Sequence, residues 1–124
     1  MNQHILVVDD EAAIRDLLAE YFRALDYHVT TASNAGEALR LADETPLNLV
    51  ILDLRLADGN GLAVLDKIRT AHPNLPVIML TGMGFEDALM QEALRKKATS
   101  YASKTLPLSQ LLIKVRRVLD QPPA

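Results

Sequence analysis

Short runs in which every position is apolar alternate along this chain with longer segments in which apolar residues recur every three or four positions. ILVV at 5–8, LVIL at 49–52 and VIML at 77–80 have no polar face, the signature of parallel strands covered on both sides. VTTA at 29–32 and SYAS at 100–103 are weaker strand candidates. Between them, Ile14, Leu17, Leu18, Tyr21, Phe22 and Leu25 fall on one stripe of an amphipathic helix. Ala35, Ala38, Leu39 and Ala42 repeat the pattern, as do Leu108, Leu111, Leu112, Val115 and Leu119, with shorter stripes at Leu62, Leu65 and Ile68 and at Leu89, Ala93 and Leu94. Asn34 with Glu37 three residues on reads as a capping pair, and Asn60 is placed to cap a helix beginning near Gly61.

Five βα units of this length, joined by right-handed crossovers, predict an α/β fold: a doubly wound, five-stranded parallel sheet with helices on both faces. The common strand order for a small domain of this kind is 2-1-3-4-5. Its ligands lie outside the carboxyl ends of the strands, at the switch point between the first and third. The residues just past each strand therefore matter most: Asp9, Asp10 and Glu11 after the first, Asp53 after the third, Thr81 after the fourth and Lys104 after the fifth.

Each has a plain reading. Asp10 can cap the first helix, Asp53 can end its strand in solvent, Thr81 can bond a loop amide, and Lys104 can be a surface charge. Together they are harder to dismiss. Two carboxylates ~4 Å apart repel by roughly 4 kcal/mol at an effective dielectric of 20, and one N-cap accounts for only one of them. A hard divalent cation accounts for the cluster, and the all-oxygen set Asp9, Asp10 and Asp53 suits Mg²⁺ or Mn²⁺, with Glu11 flanking it in the first helical turn. With Lys104 as a point positive charge and Thr81 as a hydroxyl, the edge suits a phosphoryl group, and Asp53 can itself accept it.

Composition narrows the setting. The 124 residues, 49% of them hydrophobic, fill one core, so residues 1–120 are read as one domain and QPPA at 121–124 as a tail or the start of a linker. The net charge of −3 argues neither for nor against nucleic acid, though no direct nucleic acid binding is expected of this domain, and the charge is unevenly spread. Residues 1–62 carry 11 acids and 4 bases (−7), and residues 63–124 carry 5 acids and 9 bases (+4). The absence of cysteine excludes disulfides and thiolate zinc sites. The N-terminus MNQH lacks the pattern of a secretory signal and no apolar run approaches a bilayer's thickness, so a cytoplasmic protein without membrane contact is expected.

VVDDE, LVILDLRLADGNGL, LPVIMLTG and SYASK, in this order and spacing, resemble the receiver domains of two-component response regulators over essentially the whole chain. The resemblance implies the flavodoxin-like (CheY-like) three-layer sandwich. It implies phosphotransfer to Asp53 from a sensor histidine kinase or phosphotransfer protein, with Mg²⁺ held by Asp10, Asp53 and the backbone carbonyl of Arg55 and with Asp9 acting through a water. Thr81 and Lys104 would each bond a phosphoryl oxygen. Tyr101 matches the aromatic that turns inward when the threonine moves, beside the plain reading of a half-buried strand tyrosine. Such a domain assists its own phosphotransfer and autodephosphorylation but is not a turnover enzyme. Its switch would alter the face of the fourth helix, fifth strand and fifth helix, often a dimer or output surface, to which Arg95, Lys96, Lys97, Lys114, Arg116 and Arg117 are assigned. Taken singly, each of these six reads as solvated charge. Gly82, Met83 and Gly84 mark the loop after strand four as a moving part.

Three positions depart from the family. Lys104 is followed by Thr105 where proline joined by a cis bond is usual, Ala57 replaces a proline, and Lys97 replaces a glycine. A cis bond before a non-proline residue costs ~2.5–4 kcal/mol, so Lys104–Thr105 is expected to be trans, and the reach of Lys104 to the phosphate becomes the open point. That motivates the alternative of a degenerate receiver, a binding module independent of phosphorylation. A Mg²⁺-dependent aspartyl-phosphate phosphatase would instead carry its nucleophile in D-x-D after the first strand. A flavin binder would need Ser, Thr and Gly amides where this chain has DDE. Kinase, signal, output and oligomeric state are not legible.

Overall fold

Strands buried on both faces need apolar residues at every position, and the three such runs form the middle of the sheet. The computed structural model describes residues 3–56, 58–82, 95 and 98–120. Its strands are β1 (His4–Val8), β2 (His28–Ala32), β3 (Leu49–Asp53), β4 (Arg55–Leu56), β5 (Gly59–Asn60), β6 (Val77–Thr81) and β7 (Ser100–Ser103). Helices α1 (Ala12–Ala24), α2 (Ala35–Glu44), α3 (Gly61–Ala71) and α4 (Leu108–Asp120) lie between or after them. The main sheet runs β2-β1-β3-β6-β7, every pairing parallel. Counted among these five strands alone, that is the expected order 2-1-3-4-5.

Side chains alternate across the sheet and so divide the core in two. Leu6, Val8, Val50, Leu52, Val77 and Met79 pack with Ala38 and Ala42 of α2 and with Leu62, Leu65 and Ile68 of α3. Ile5, Val7, Leu49, Ile51, Ile78 and Leu80 pack with Leu18, Ala19 and Phe22 of α1 and with Leu111, Val115 and Val118 of α4. The result is a three-layer sandwich. The edge strands are more polar because one side of each lacks a neighbour: HVTTA in β2 and SYAS in β7 bury only some of their residues.

The buried face of α1 is narrower than its periodicity suggests. Leu17 is 50% exposed and Leu25 39% exposed, while Ala19 is buried with Leu18 and Phe22. α1 rests on the sheet along the line of Leu18 and Phe22, and the flanking leucines overhang it. The Asn34–Glu37 pair forms as expected: Glu37 N donates to Asn34 Oδ1 (2.8 Å), and Ser33 N donates to Glu37 Oε1 (2.9 Å).

Several expectations lie outside the described residues: the stripe Leu89, Ala93 and Leu94, the loop residues Met83 and Gly84, Lys96 and Lys97, Ala57, the side chain of Asn60, and QPPA at 121–124. Arg95, Arg116 and Arg117 are exposed. Among the described residues, no helix is long and apolar enough to cross a membrane.

Candidate functional site

The carboxyl ends of the central strands deliver one polar cluster into an otherwise apolar fold. Asp9 lies just past β1, Asp53 ends β3 and Thr81 ends β6, and these three are the buried polar residues among those described, at 0%, 3% and 3% exposure. Asp10 and Glu11, beside Asp9, are exposed. Carboxylate oxygens of Asp9, Asp10 and Asp53 all lie within 4.8 Å of one another. At that separation like charges need a compensating cation.

Lys104, the residue after β7, supplies part of that compensation. Its Nζ lies 3.0 Å from Asp53 Oδ2, 3.0 Å from Asp9 Oδ2 and 2.9 Å from Glu11 Oε1. The Lys104–Thr105 bond is trans, as the missing proline predicts, and the side chain reaches the cluster all the same. The strand holds it there: Lys104 N donates to Thr81 O (2.7 Å), continuing the β6–β7 ladder by one residue. Burial opposes the ammonium's charge, but hydrogen bonds to Glu11, Asp53 and Asp9 outweigh it and hold the group above the usual lysine range.

Asp53 shows the reverse balance. Its pKa is raised to about 6, because burial, with the charge of Asp9 beside it, outweighs the hydrogen bond from Lys104 that pulls it down. One lysine therefore does not neutralise the site. The geometry of Asp9 agrees. Its Oδ2 is in ion-pair contact with Lys104, yet this buried atom receives no well-directed hydrogen bond, while Oδ1 accepts from Glu11 N (2.9 Å). A buried anionic oxygen without a directed donor, beside two more carboxylates, fits a divalent cation with all-oxygen coordination.

The backbone around Asp53 is closely built. Arg55 N donates to Asp53 Oδ1 (3.2 Å), and Leu54 N donates to Leu80 O (2.9 Å). Gly61 N donates to Leu54 O (2.7 Å). A Cβ at Gly61 would sit 2.2 Å from the Asp53 carbonyl oxygen, so only glycine permits this approach.

Not every predicted residue bonds to the carboxylates. The Thr81 hydroxyl donates to Ala102 O over 3.4 Å, across to β7. Tyr101 is 37% exposed and lies on the outer side of β7, with Lys114 Nζ 6.0 Å from its ring centre. Two contributors escape a reading of the sequence. Glu11 has only a flanking place there, yet it is Lys104's nearest partner. Asp58 has no place there, yet it bonds the N-terminus of α2: Ala35 N donates to its Oδ1 (2.8 Å) and Gly36 N to its Oδ2 (3.5 Å). Only its position in a short acidic, glycine-containing loop hints at that.

The family described as response regulator receiver domain matches residues 5–116. The response regulator protein PilR of Pseudomonas aeruginosa is 37% identical over 89% of this chain, which covers 24% of PilR. The transcriptional regulatory protein SrrA of Staphylococcus aureus is 35% identical over 96% of this chain, covering 48% of SrrA. The chain thus spans half or less of these curated relatives. Among solved structures, the receiver domain of NtrX from Brucella abortus superposes with a TM-score of 0.89 at 36% identity, over 95% of this chain and 99% of that one. A CheY-like receiver domain protein from Methanospirillum hungatei gives 0.92 at 31% identity, over 97% and 95%.

Proposed function

The chain belongs to the response regulator receiver domain family, and from that premise we propose that it takes a phosphoryl group onto Asp53 from a sensor histidine kinase or phosphotransfer protein in a Mg²⁺-dependent reaction. The observation that carries this reading is the cluster itself: three carboxylates within 4.8 Å of one another, with Lys104 Nζ 3.0 Å from Asp53 Oδ2. Asp10, Asp53 and the backbone carbonyl of Arg55 would hold the cation directly, and Asp9 through a water. When bound, Mg²⁺, or Mn²⁺ in its place, neutralises the carboxylates and the oxygens of the incoming phosphoryl group.

The chain's own residues do the rest. An Asp53 carboxylate oxygen attacks phosphorus, the P–N bond to the donor's histidine breaks, and its electron pair stays on the imidazole. The Arg55 amide steadies Asp53 Oδ1, and burial keeps competing water few. Lys104, 3.0 Å from Asp53 Oδ2, supplies a fixed positive charge for the developing phosphoryl oxygens. Once formed, the acyl phosphate offers additional acceptor oxygens, enough for about 1 to 3 charge-assisted hydrogen bonds. The long bond from Thr81 to Ala102 O is a weak one to exchange for such an oxygen. Movement of Thr81 leaves room for Tyr101 to turn inward, which alters the surface of β7 and α4, the described part of the proposed output and homodimer face.

The alternative, a module that binds independently of phosphorylation, draws its motivation from the proline missing after Lys104. The 3.0 Å contact of Lys104 with Asp53 supports phosphotransfer over that alternative. The test is incubation with acetyl phosphate. One phosphoryl group per chain should appear with Mg²⁺ and none with chelator. Equal labelling in chelator would overturn the cation's part, and no labelling under any condition would favour the binding module.

A further inference from the structure

α2 begins with three backbone N–H groups that no helical carbonyl can satisfy, at Ala35, Gly36 and Glu37. Glu37 N is capped from within its own segment by Asn34 Oδ1. Ala35 N and Gly36 N are instead bonded by Asp58, which stands 23 residues along the chain from Ala35, between the paired strands β4 and β5. This hairpin comes directly after Asp53. Arg55 pairs with Asn60 in it, and Gly61 N closes its base on Leu54 O.

We propose that Asp58 is a positioning residue for the cation site: by fastening the β4–β5 hairpin to the N-terminus of α2, it fixes where the Arg55 carbonyl stands relative to Asp53. The inference rests on the reading that Asp53 and the Arg55 carbonyl hold Mg²⁺. Two features of the hairpin and its partner helix support it. The hairpin has only two residues per strand and a single partner strand, and of these Leu56 is buried in the core, so its polar tip is held from outside by the bonds of Asp58. An exposed carboxylate on two helix N-terminal amides is also favoured by the helix dipole, and those amide bonds draw the Asp58 pKa below the usual range. The anchor thus comes from a helix on one face of the sheet, whereas the carboxylate ligands come from the ends of strands.

The experiment measures Mg²⁺ affinity by calorimetry for the native chain, Asp58→Ala, Asp58→Asn and Asn34→Ala, each checked for folding by thermal melting. Asn34→Ala removes a cap from the same helix without touching the hairpin, so it reports what mere fraying of α2 does. Expected is a loss of affinity on the order of tenfold for Asp58→Ala, as for other residues that orient a metal ligand. Asp58→Asn, which keeps one acceptor oxygen, should recover most of it, and Asn34→Ala should stay near native. Native affinity in Asp58→Ala, or an equal loss in Asn34→Ala, overturns the positioning role alone. No Mg²⁺ binding by the native chain overturns the cation reading and this inference with it.

Discussion

At Gly61 the chain's tolerance for an added atom is smallest. A methyl group there meets the carbonyl of the proposed acceptor at 2.2 Å, so Gly61→Ala must displace the backbone of Asp53 or Leu54. Overpacking of this kind typically costs about 1–3 kcal/mol, and urea unfolding should find Gly61→Ala destabilised within that range. Asp53 itself should behave in the opposite way. Its pKa is raised from 3.8 to about 6, so between these values the unfolded chain has already lost the proton that the folded chain keeps. The protonated group's contribution to stability is therefore full below pH 3.8 and lost as pH rises through about 6. In chelator at about pH 7, Asp53→Asn should be more stable than the native chain by on the order of 1–2 kcal/mol, and the gain should shrink toward zero near pH ~4. Added Mg²⁺ should raise the melting temperature of the native chain and leave that of Asp53→Asn unmoved. The acidic members of the cluster are legible in the sequence because their spacing reflects where strands end. The role of Glu11 is not, because it depends on the direction in which Lys104 returns across the edge.

Elements show the same division between what a period reveals and what tertiary contact decides. The wholly apolar runs form β1, β3 and β6 within one residue of their expected bounds, since no other environment suits them. The α1 stripe promises more burial than the structure delivers, because periodicity reports which residues can face the sheet and only packing decides how many do. Phe22 is fully buried and Leu17 half-exposed, so Phe22→Ala should cost about 3–5 kcal/mol by denaturant unfolding and Leu17→Ala well under ~1. The β4–β5 hairpin is not legible at all. Its short strands carry no period, and besides the buried Leu56 it is held by Asp58, which bonds the start of a helix 22–23 residues away in sequence. At the edge of the sheet, His4 pairs across β1–β2 with His28, and its Nε2 lies 2.6 Å from Thr30 Oγ1. Burial, and then the neighbouring His28, lower the His4 pKa below 6.5. The stability from neutral His4 is present above pH 6.5 and lost as pH falls through the lowered value, so His4→Gln should flatten the decline in melting temperature on that side.

Across the whole molecule, the opposite charges of the two halves of the sequence acquire a meaning. The acid-rich first half brings Asp9, Asp10, Glu11 and Asp53 to one edge, and the basic second half returns Lys104 to their midst. A parallel sheet in the order β2-β1-β3-β6-β7 is what makes that meeting geometric, since it sets the ends of β1 and β3 side by side, with β6 and β7 next on one flank. On the proposed function, this edge carries a phosphoryl group on Asp53. The most direct measurement treats the chain with acetyl phosphate and Mg²⁺, reduces it with borohydride, and maps the product by tandem mass spectrometry. An acyl phosphate on Asp53 is reduced to homoserine, so homoserine at position 53 and nowhere else is the predicted result. An unreduced Asp53 in a chain that has gained phosphate at another residue would contradict it.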